Sequence, residues 1–144
     1  PAHVETRAGA RGAGWQLTGA KTAVWQGAAA DSLLVSARVS GSTRDEEGIG
    51  LFLVDAAAAG VERRAWIAAD GQHAAEVQLH AAPAVRLGAL GLAEIEAAIR
   101  AGWLAGSAEM LGVAALLFDQ TLAYVKTRVQ FGKALGSFQV IQHR

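Results

Sequence analysis

The chain lacks cysteine altogether. This absence excludes disulfide bonds and thiolate metal sites and leaves the redox compartment open. Proline is scarce, with 2 residues in 144, and the formal net charge is zero. A neutral chain has no overall field that would direct it to nucleic acid or to an anionic membrane surface. Charged residues make up 18% and hydrophobic residues 52%, so the chain is apolar for a globular protein.

The sequence also shows no obvious targeting or membrane segment. The N-terminal stretch PAHVETRAGARG has no apolar run of the kind found in signal peptides. Arg100, Glu109 and Asp119 interrupt the most apolar part of the chain. No uninterrupted segment of about 20 apolar residues, the length that spans a bilayer, is therefore present. We expect a cytoplasmic protein that inserts into no membrane and binds no nucleic acid.

The first part of the chain has the pattern of short β-strands. Apolar residues alternate with polar ones, or run together briefly, between turn residues. The predicted strands are GWQLTGAK (14–21, with a turn at Gly19), SLLVSARV (32–39), GIGLFLVD (48–55), GVERRAWI (60–67) and AAEVQLH (74–80). The polar stretch SGSTRDEEG (40–48) is typical of a hairpin loop. Short strands at this spacing predict an antiparallel barrel or sandwich.

The periodicity changes after the stretch GALG at 88–91. Apolar and small residues recur at helical spacing from Leu92 to Arg128, and two adjacent stripes make the apolar face wide. One small barrel cannot cover such a face, so the helix needs other helices. We predict an α+β fragment: an antiparallel β-barrel domain over residues 1–88 and the truncated start of a helical domain over 89–144.

Several familiar site patterns are absent. Gly12-Ala13-Gly14 is half of a dinucleotide fingerprint, with no third glycine in place and no following helix. The 4 histidines lack metal-ligand spacing; they are His3, His73, His80 and His143. Glu46 and Glu47 lie in the predicted hairpin loop, where a solvated role is more ordinary than an acid-base pair. No Ser/His/Asp arrangement suggests nucleophilic catalysis.

The C-terminal segment combines residue types that suit a nucleotide. It contains a guanidinium, two amides, aromatic faces and a glycine, at Arg128, Gln130, Phe131, Gly132, Phe138 and Gln139. Arginine holds phosphates through a planar fork of donors, and phenylalanine offers an apolar face to a flat ring. The alternative is a basic helix end that is capped by Gly132. Both interpretations remain open on these residues alone.

The same segment carries a family resemblance. The stretch YVKTRVQFGKALGSFQVIQHR (124–144) resembles the signature of the flavin-dependent acyl-CoA dehydrogenases. The stretch GWQLTGAKTAVWQGAAADSLLVSAR (14–38) is similar to the middle β domain of that family, and GIGLFLV (48–54) and AEMLG (108–112) also fit. The likeness covers essentially the whole chain in order. Within the family it is greatest to the branch of pimeloyl-CoA and steroid side-chain dehydrogenase small subunits.

The resemblance implies a three-part fold, with a helical domain, a middle β-barrel and a C-terminal four-helix bundle. It implies an FAD enzyme that dehydrogenates acyl-CoA thioesters at the α,β position and passes electrons to an electron-transfer flavoprotein. Members of the family are homo- or hetero-oligomers, either dimers or tetramers. Arg128 would contact the FAD pyrophosphate of a neighbouring subunit. Further contacts would come from Gln130, Phe131, Phe138 and Gln139.

This chain also departs from the family pattern. The flavin-facing Trp-(Ile/Val)-(Ser/Thr) aligns with Ala23-Val24-Trp25, so the hydroxyl is lost and Trp25 is the group available to stack. The substrate-contacting Asp and Arg align with Arg100 and Trp103. The family's usual base would lie beyond Arg144, so we expect no catalytic residue in this chain.

Three hypotheses follow. The chain is part of a catalytic subunit and is inactive by itself, or it belongs to a non-catalytic partner that completes an FAD site in a heteromer. The third is a structural barrel-plus-helix module with a coincidental motif.

Overall fold

The computed structural model describes residues 2–143. It divides into two compact units, Pro1–Ala97 and Ala98–Arg144. The first contains a closed β-barrel, and the second is formed largely by one long helix. The predicted α+β class, with a barrel followed by a single long helix, is therefore confirmed. The predicted domain boundary after residue 88 stays a prediction.

Six strands form one sheet that closes on itself. They are β1 (Arg7–Arg11), β2 (Gly14–Trp25), β3 (Ser32–Arg38), β4 (Ile49–Asp55), β5 (Val61–Ile67) and β6 (His73–Arg86). The strand order is β2-β1-β3-β4-β6-β5, and pairing of β2 with β6 closes the barrel. All pairings are antiparallel except a single parallel contact between β1 and β3. Closure leaves few unpaired edges, which suits a small β domain.

The core of the first unit lies inside the barrel. Its largest buried apolar side chains are Phe52, Leu17, Leu79, Val54 and Val77. In β6 the core residues Val77 and Leu79 alternate with Gln78, which is exposed. The alternation in the sequence therefore predicted the inner face of this strand correctly, because successive strand residues point to opposite faces.

The observed strands differ from the predicted ones in three places. β1 was not predicted, since its sequence RAGAR has few residues of high β propensity. Gly19 does not end β2 but lies at a register shift within it, and the strand continues to Trp25. A Cβ on Gly19 would lie 2.8 Å from the Thr6 Cα atom, so the close approach of two backbones requires glycine here. β6 runs to Arg86, beyond its predicted end at residue 80.

Helix α1 spans Leu92–Thr127, close to the predicted range. Its start is capped by Glu94, whose carboxylate accepts a hydrogen bond of 2.8 Å from the Gly91 N–H. That bond lowers the pKa of Glu94. The helix buries none of its residues, and an 18-residue window of it has a mean hydropathy of 1.5. By length and composition alone it could cross a membrane, because its few charges are widely spaced. The expectation that no segment is long and apolar enough to span a bilayer is therefore wrong, while the expected absence of membrane insertion stays a prediction.

A compact turn structure follows α1. It consists of β7 (Val129–Gln130), β8 (Lys133–Ala134), a 3₁₀ turn (Leu135–Ser137) and the four-residue helix α2 (Gln139–Gln142). Phe131 and Gly132 connect β7 to β8, and both have positive φ angles, of 53° and 82°. Two successive residues with positive φ angles form the type of turn that closes tight β-hairpins. Gly132 therefore belongs to a hairpin turn and does not cap α1.

Candidate functional site

Arg128 lies at the junction between α1 and the hairpin. Its N–H donates to the Tyr124 carbonyl at 2.8 Å, and its carbonyl accepts from the Leu135 N–H at 2.9 Å. These bonds hold its backbone on both sides, while the residue itself is exposed. The arrangement positions a guanidinium on the surface from a fixed backbone.

Phe131 occupies the tip of the hairpin and is 89% exposed. Its ring packs edge to face against Phe138, with centroids 6.3 Å apart and planes at 87°. The Lys133 ammonium lies 4.3 Å from the centroid of the Phe138 ring. The hairpin thus carries an exposed aromatic face that is held by a second ring and a cation.

The two predicted amides lie on either side of this aromatic pair in the chain. Gln130 belongs to β7 and Gln139 is the first residue of α2, and both are exposed. The segment between them packs on the last turns of α1, where a Cβ on Gly136 would lie 3.2 Å from the Val125 carbonyl oxygen. Gln142 also donates to the Gly136 carbonyl at 3.1 Å.

The donor set of this segment suits a phosphate ester with a flat ring. Residues 126–143 contain Lys, Arg, Gln and Phe side chains but no Asp or Glu. A guanidinium and amide donors beside aromatic faces can hold a pyrophosphate and shield the adjoining groups from water. The residues present therefore fit FAD, whose contact here is implied by the resemblance.

The predicted ring contact at Val24 and Trp25 lies in the first unit, at the end of β2. Val24 is half-buried against the core, whereas Trp25 is 57% exposed. Ala23 and Gln26, on either side, both have positive φ angles. Non-glycine residues adopt this conformation only where their surroundings enforce it, and such residues cluster at functional sites.

The two predicted substrate contacts, Arg100 and Trp103, lie on α1 in the second unit, and both are exposed. The structure brings the residues of the 128–139 segment together in one local unit. Val24 and Trp25 belong to the first unit. The roles of all these residues stay predictions.

Sequence reasoning missed three residues with unusual surroundings. Arg38 is buried, and Lys21 is mostly buried with its ammonium donating to the Ser36 hydroxyl at 3.1 Å. Burial lowers the pKa of Lys21. Trp66 lies in β5 and is 38% exposed. A polar residue within a strand pattern was the available sequence signal for Lys21. No sequence signal was available for Trp66, because only the strand register shows which residues lie beside it.

Two models of known protein families match the chain. Residues 1–81 match the model of the acyl-CoA dehydrogenase middle domain, and residues 89–144 match that of the acyl-CoA dehydrogenase C-terminal domain. The chain therefore belongs to the acyl-CoA dehydrogenase family, and the predicted resemblance is confirmed.

Individual relatives agree with this assignment. Acyl-CoA dehydrogenase FadE27 of Mycobacterium tuberculosis is 31% identical over 96% of the chain and 36% of its own length. The Tcur3481-Tcur3483 steroid ACAD structure is 37% identical over 99% of the chain and 37% of its own, with a TM-score of 0.76. The ChsE4-ChsE5 complex of Mycobacterium tuberculosis is 29% identical over 96% of the chain and 36% of its own, with a TM-score of 0.70.

A further structure includes a bound flavin. A glutaryl-CoA dehydrogenase of Mycobacterium smegmatis in complex with FADH2 is 27% identical over 99% of the chain and 37% of its own, with a TM-score of 0.85. The chain thus spans little more than a third of the length of each of these proteins. The similarity includes steroid-type members of the family, as the sequence predicted.

Proposed function

We propose that the chain is part of a flavoprotein that dehydrogenates acyl-CoA thioesters at the α,β position. A carboxylate base of the flavoprotein takes a proton from the α carbon and a hydride leaves the β carbon, so that an enoyl thioester remains. FAD, when bound, supplies the hydride acceptor, and the electrons then pass to an electron-transfer flavoprotein. The observation that carries this proposal is the exposed cluster at 128–139 in a chain of this family.

Within that function, the residues of this chain bind and orient. Arg128 holds the pyrophosphate of FAD in a neighbouring subunit, since its fixed backbone presents the guanidinium outward. Gln130 and Gln139 donate amide hydrogen bonds to the same dinucleotide. Phe131 and Phe138 exclude water beside it. We assign no catalytic base to residues 1–144.

The second candidate function is that of a non-catalytic partner subunit. Arg100 and Trp103 stand where the family's substrate-contacting Asp and Arg align, so this chain would bind substrate poorly. Its similarity to the ChsE4-ChsE5 complex supports a heteromeric assembly. In that case the chain supplies Arg128 and helix α1 to an FAD site that it shares with a catalytic partner.

Flavin content separates these possibilities. The full-length protein should be purified alone and together with any homologue encoded beside it, and its visible absorbance recorded. FAD in the protein alone, with reduction by an acyl-CoA, supports the catalytic subunit. FAD that appears only in the mixture supports the partner subunit. If neither sample holds flavin, both proposals are wrong.

Substitution of Arg128 tests the residue that carries the proposal. Arg128→Ala should weaken FAD binding by roughly 10- to 150-fold, because a charge-assisted contact to phosphate contributes roughly 1.5–3 kcal/mol. The measurement is titration of the apoprotein with FAD. Lys126→Ala is the matched control, since it removes an exposed positive charge two residues earlier. Equal FAD affinity of the two variants would disprove the assignment of Arg128.

A further inference from the structure

Two tryptophans lie in one row of the barrel sheet. Trp25 of β2 is paired with Ala74 of β6, and Ala74 is paired on its other side with Trp66 of β5. Residues that are directly opposite in antiparallel strands project from the same face of the sheet. With about 4.5–5.5 Å between paired Cα atoms, the two tryptophan Cα atoms are roughly 10 Å apart.

This row projects from the outside of the barrel. The next residue of β6, Ala75, belongs to the core, so Ala74 points outward. Ala74 is nevertheless fully buried, with no exposed surface, whereas Trp25 and Trp66 are 57% and 38% exposed. Side chains on the outer face must therefore cover Ala74. The two residues paired with it, Trp25 and Trp66, carry large side chains on that face.

The backbone around Trp25 is held in place. Ala23 and Gln26 have φ angles of 51° and 57°. The Gln26 N–H donates to the His73 carbonyl at 2.9 Å, and the Gly27 N–H donates to the Val24 carbonyl at 3.0 Å. These bonds fix the backbone from which the exposed indole projects, and a stacking site requires such a fixed origin.

A polar pair lies beside the two indoles. Arg64 and Glu76 are opposite each other in β5 and β6, two residues along from the row of the tryptophans and on the same face. They form an ion pair of 2.7 Å. Two strand residues span roughly 7 Å. The outer face of the sheet therefore changes from two indoles to a charged pair over roughly 7 Å, a distance comparable with the length of a fused ring system.

We propose that Trp25 and Trp66 form an aromatic platform for the isoalloxazine ring of FAD, with Trp66 as a cofactor-binding residue. This inference rests on the proposed function. The isoalloxazine is flat, with an apolar dimethylbenzene edge and a pyrimidine edge that forms hydrogen bonds. An indole surface with a donor and an acceptor along one side matches both edges.

The test replaces Trp66 in the full-length protein, with its partner subunit if one is needed for FAD. Trp66→Ala should weaken FAD binding about tenfold, as expected for one lost stacking contact. It should also raise the fluorescence of the bound flavin, because an indole stacked on the ring quenches that fluorescence. Trp66→Phe keeps an aromatic face and should restore most of the affinity.

The matched control is Ile67→Ala, on the next residue of β5 and the opposite face of that strand. This variant tests whether any substitution in β5 releases FAD, and we expect the Ile67→Ala protein to bind FAD normally. Unchanged affinity and fluorescence in Trp66→Ala would overturn the platform, as would an equal loss in Ile67→Ala. If Arg128→Ala still releases FAD in either case, the proposed function stands. Absence of flavin from every wild-type preparation would instead overturn the proposed function.

Discussion

At the scale of single residues, Lys21 combines a positive charge with a mostly buried position. Its ammonium donates a hydrogen bond to the Ser36 hydroxyl at 3.1 Å. A hydroxyl does not neutralise the charge, so loss of hydration is the dominant effect on this group. Desolvation disfavours the charged form and lowers the pKa of Lys21 from its ordinary value of 10.5.

This lowered pKa predicts how stability depends on pH. Between the folded pKa of Lys21 and 10.5, the unfolded chain binds the proton more tightly than the folded chain, so the free energy of unfolding rises with pH across that range. Lys21→Met removes this contribution. The free energy of unfolding of wild type minus that of Lys21→Met should therefore increase from neutral pH to pH 10.5. Denaturant unfolding at several pH values measures it.

The exposed Lys126 provides the control for that experiment. Lys126→Met removes the same charge from an exposed position, so it separates the effect of burial from that of net charge. A curve for Lys21→Met that runs parallel to that of wild type would show that burial of Lys21 has no energetic consequence.

The candidate site could be predicted from the sequence only where its residues are close in the chain. Arg128, Gln130 and Phe131 lie within four positions and carry a local signature, so the sequence alone placed them together after the long helix, although it did not predict the hairpin. Trp66 is 41 positions from Trp25 in the sequence. The two share a row only because β2 and β5 both pair with β6, and that register depends on contacts across the sheet.

At the scale of elements, the predictable strands were those with strong apolar alternation or β-branched runs. β3, β4 and β5 were located within one or two residues of their observed ends. β1 and the second half of β6 were missed, because RAGAR and AAPAVR are rich in small residues with low β propensity. Their strand conformation comes from pairing with β2 and β4, which is tertiary context.

One buried side chain organises the connection between β3 and β4. The Arg38 guanidinium donates to six backbone carbonyls, at distances of 2.9–3.4 Å. Two of these acceptors are in the N-terminal segment, at residues 2 and 4. The other four are in the loop 40–47, at residues 40, 43, 45 and 47. Within residues 2–143 the hydrogen bonds of the guanidinium go to backbone carbonyls, whose dipoles stabilise its charge.

Replacement of Arg38 should therefore be costly for the barrel. Arg38→Met keeps much of the side-chain volume but removes one donor from six carbonyls, of which that of Thr43 still accepts from the Val4 N–H at 2.9 Å. We expect a loss of roughly 3 kcal/mol or more in the free energy of unfolding, since each hydrogen bond to a charged group contributes roughly 1.5–3 kcal/mol and such terms do not add fully. Denaturant titration monitored by circular dichroism measures it.

Arg44 lies in the same loop and is exposed, which makes Arg44→Met a matched control. Its effect should stay within about 0.5 kcal/mol, as for most surface substitutions. A similarly small effect of Arg38→Met would mean that other groups hold the loop and the N-terminal segment.

At the scale of the whole molecule, α1 presents an apolar surface that the described residues leave uncovered. Leu104 and Leu111 are 75% and 72% exposed. Other large apolar side chains of the helix are exposed as well; they include Trp103, Met110, Val113, Leu116, Leu117, Phe118 and Leu122. Soluble monomers rarely expose a continuous apolar surface of this size. The chain spans little more than a third of the length of its relatives. An exposed apolar helix face of this kind is expected if the remaining part of those proteins packs against it.

The 144-residue chain alone should accordingly self-associate in solution. Sedimentation velocity over a range of protein concentrations should show oligomers or aggregates. The double variant Leu104→Glu, Leu111→Glu should shift the distribution toward monomer, because carboxylates disfavour burial of the helix face. Leu34→Glu with Leu53→Glu is the matched control, since it adds two charges at exposed positions of the barrel and leaves α1 unchanged. A monodisperse monomer of the unaltered chain at every concentration would show that the exposed face of α1 does not drive association.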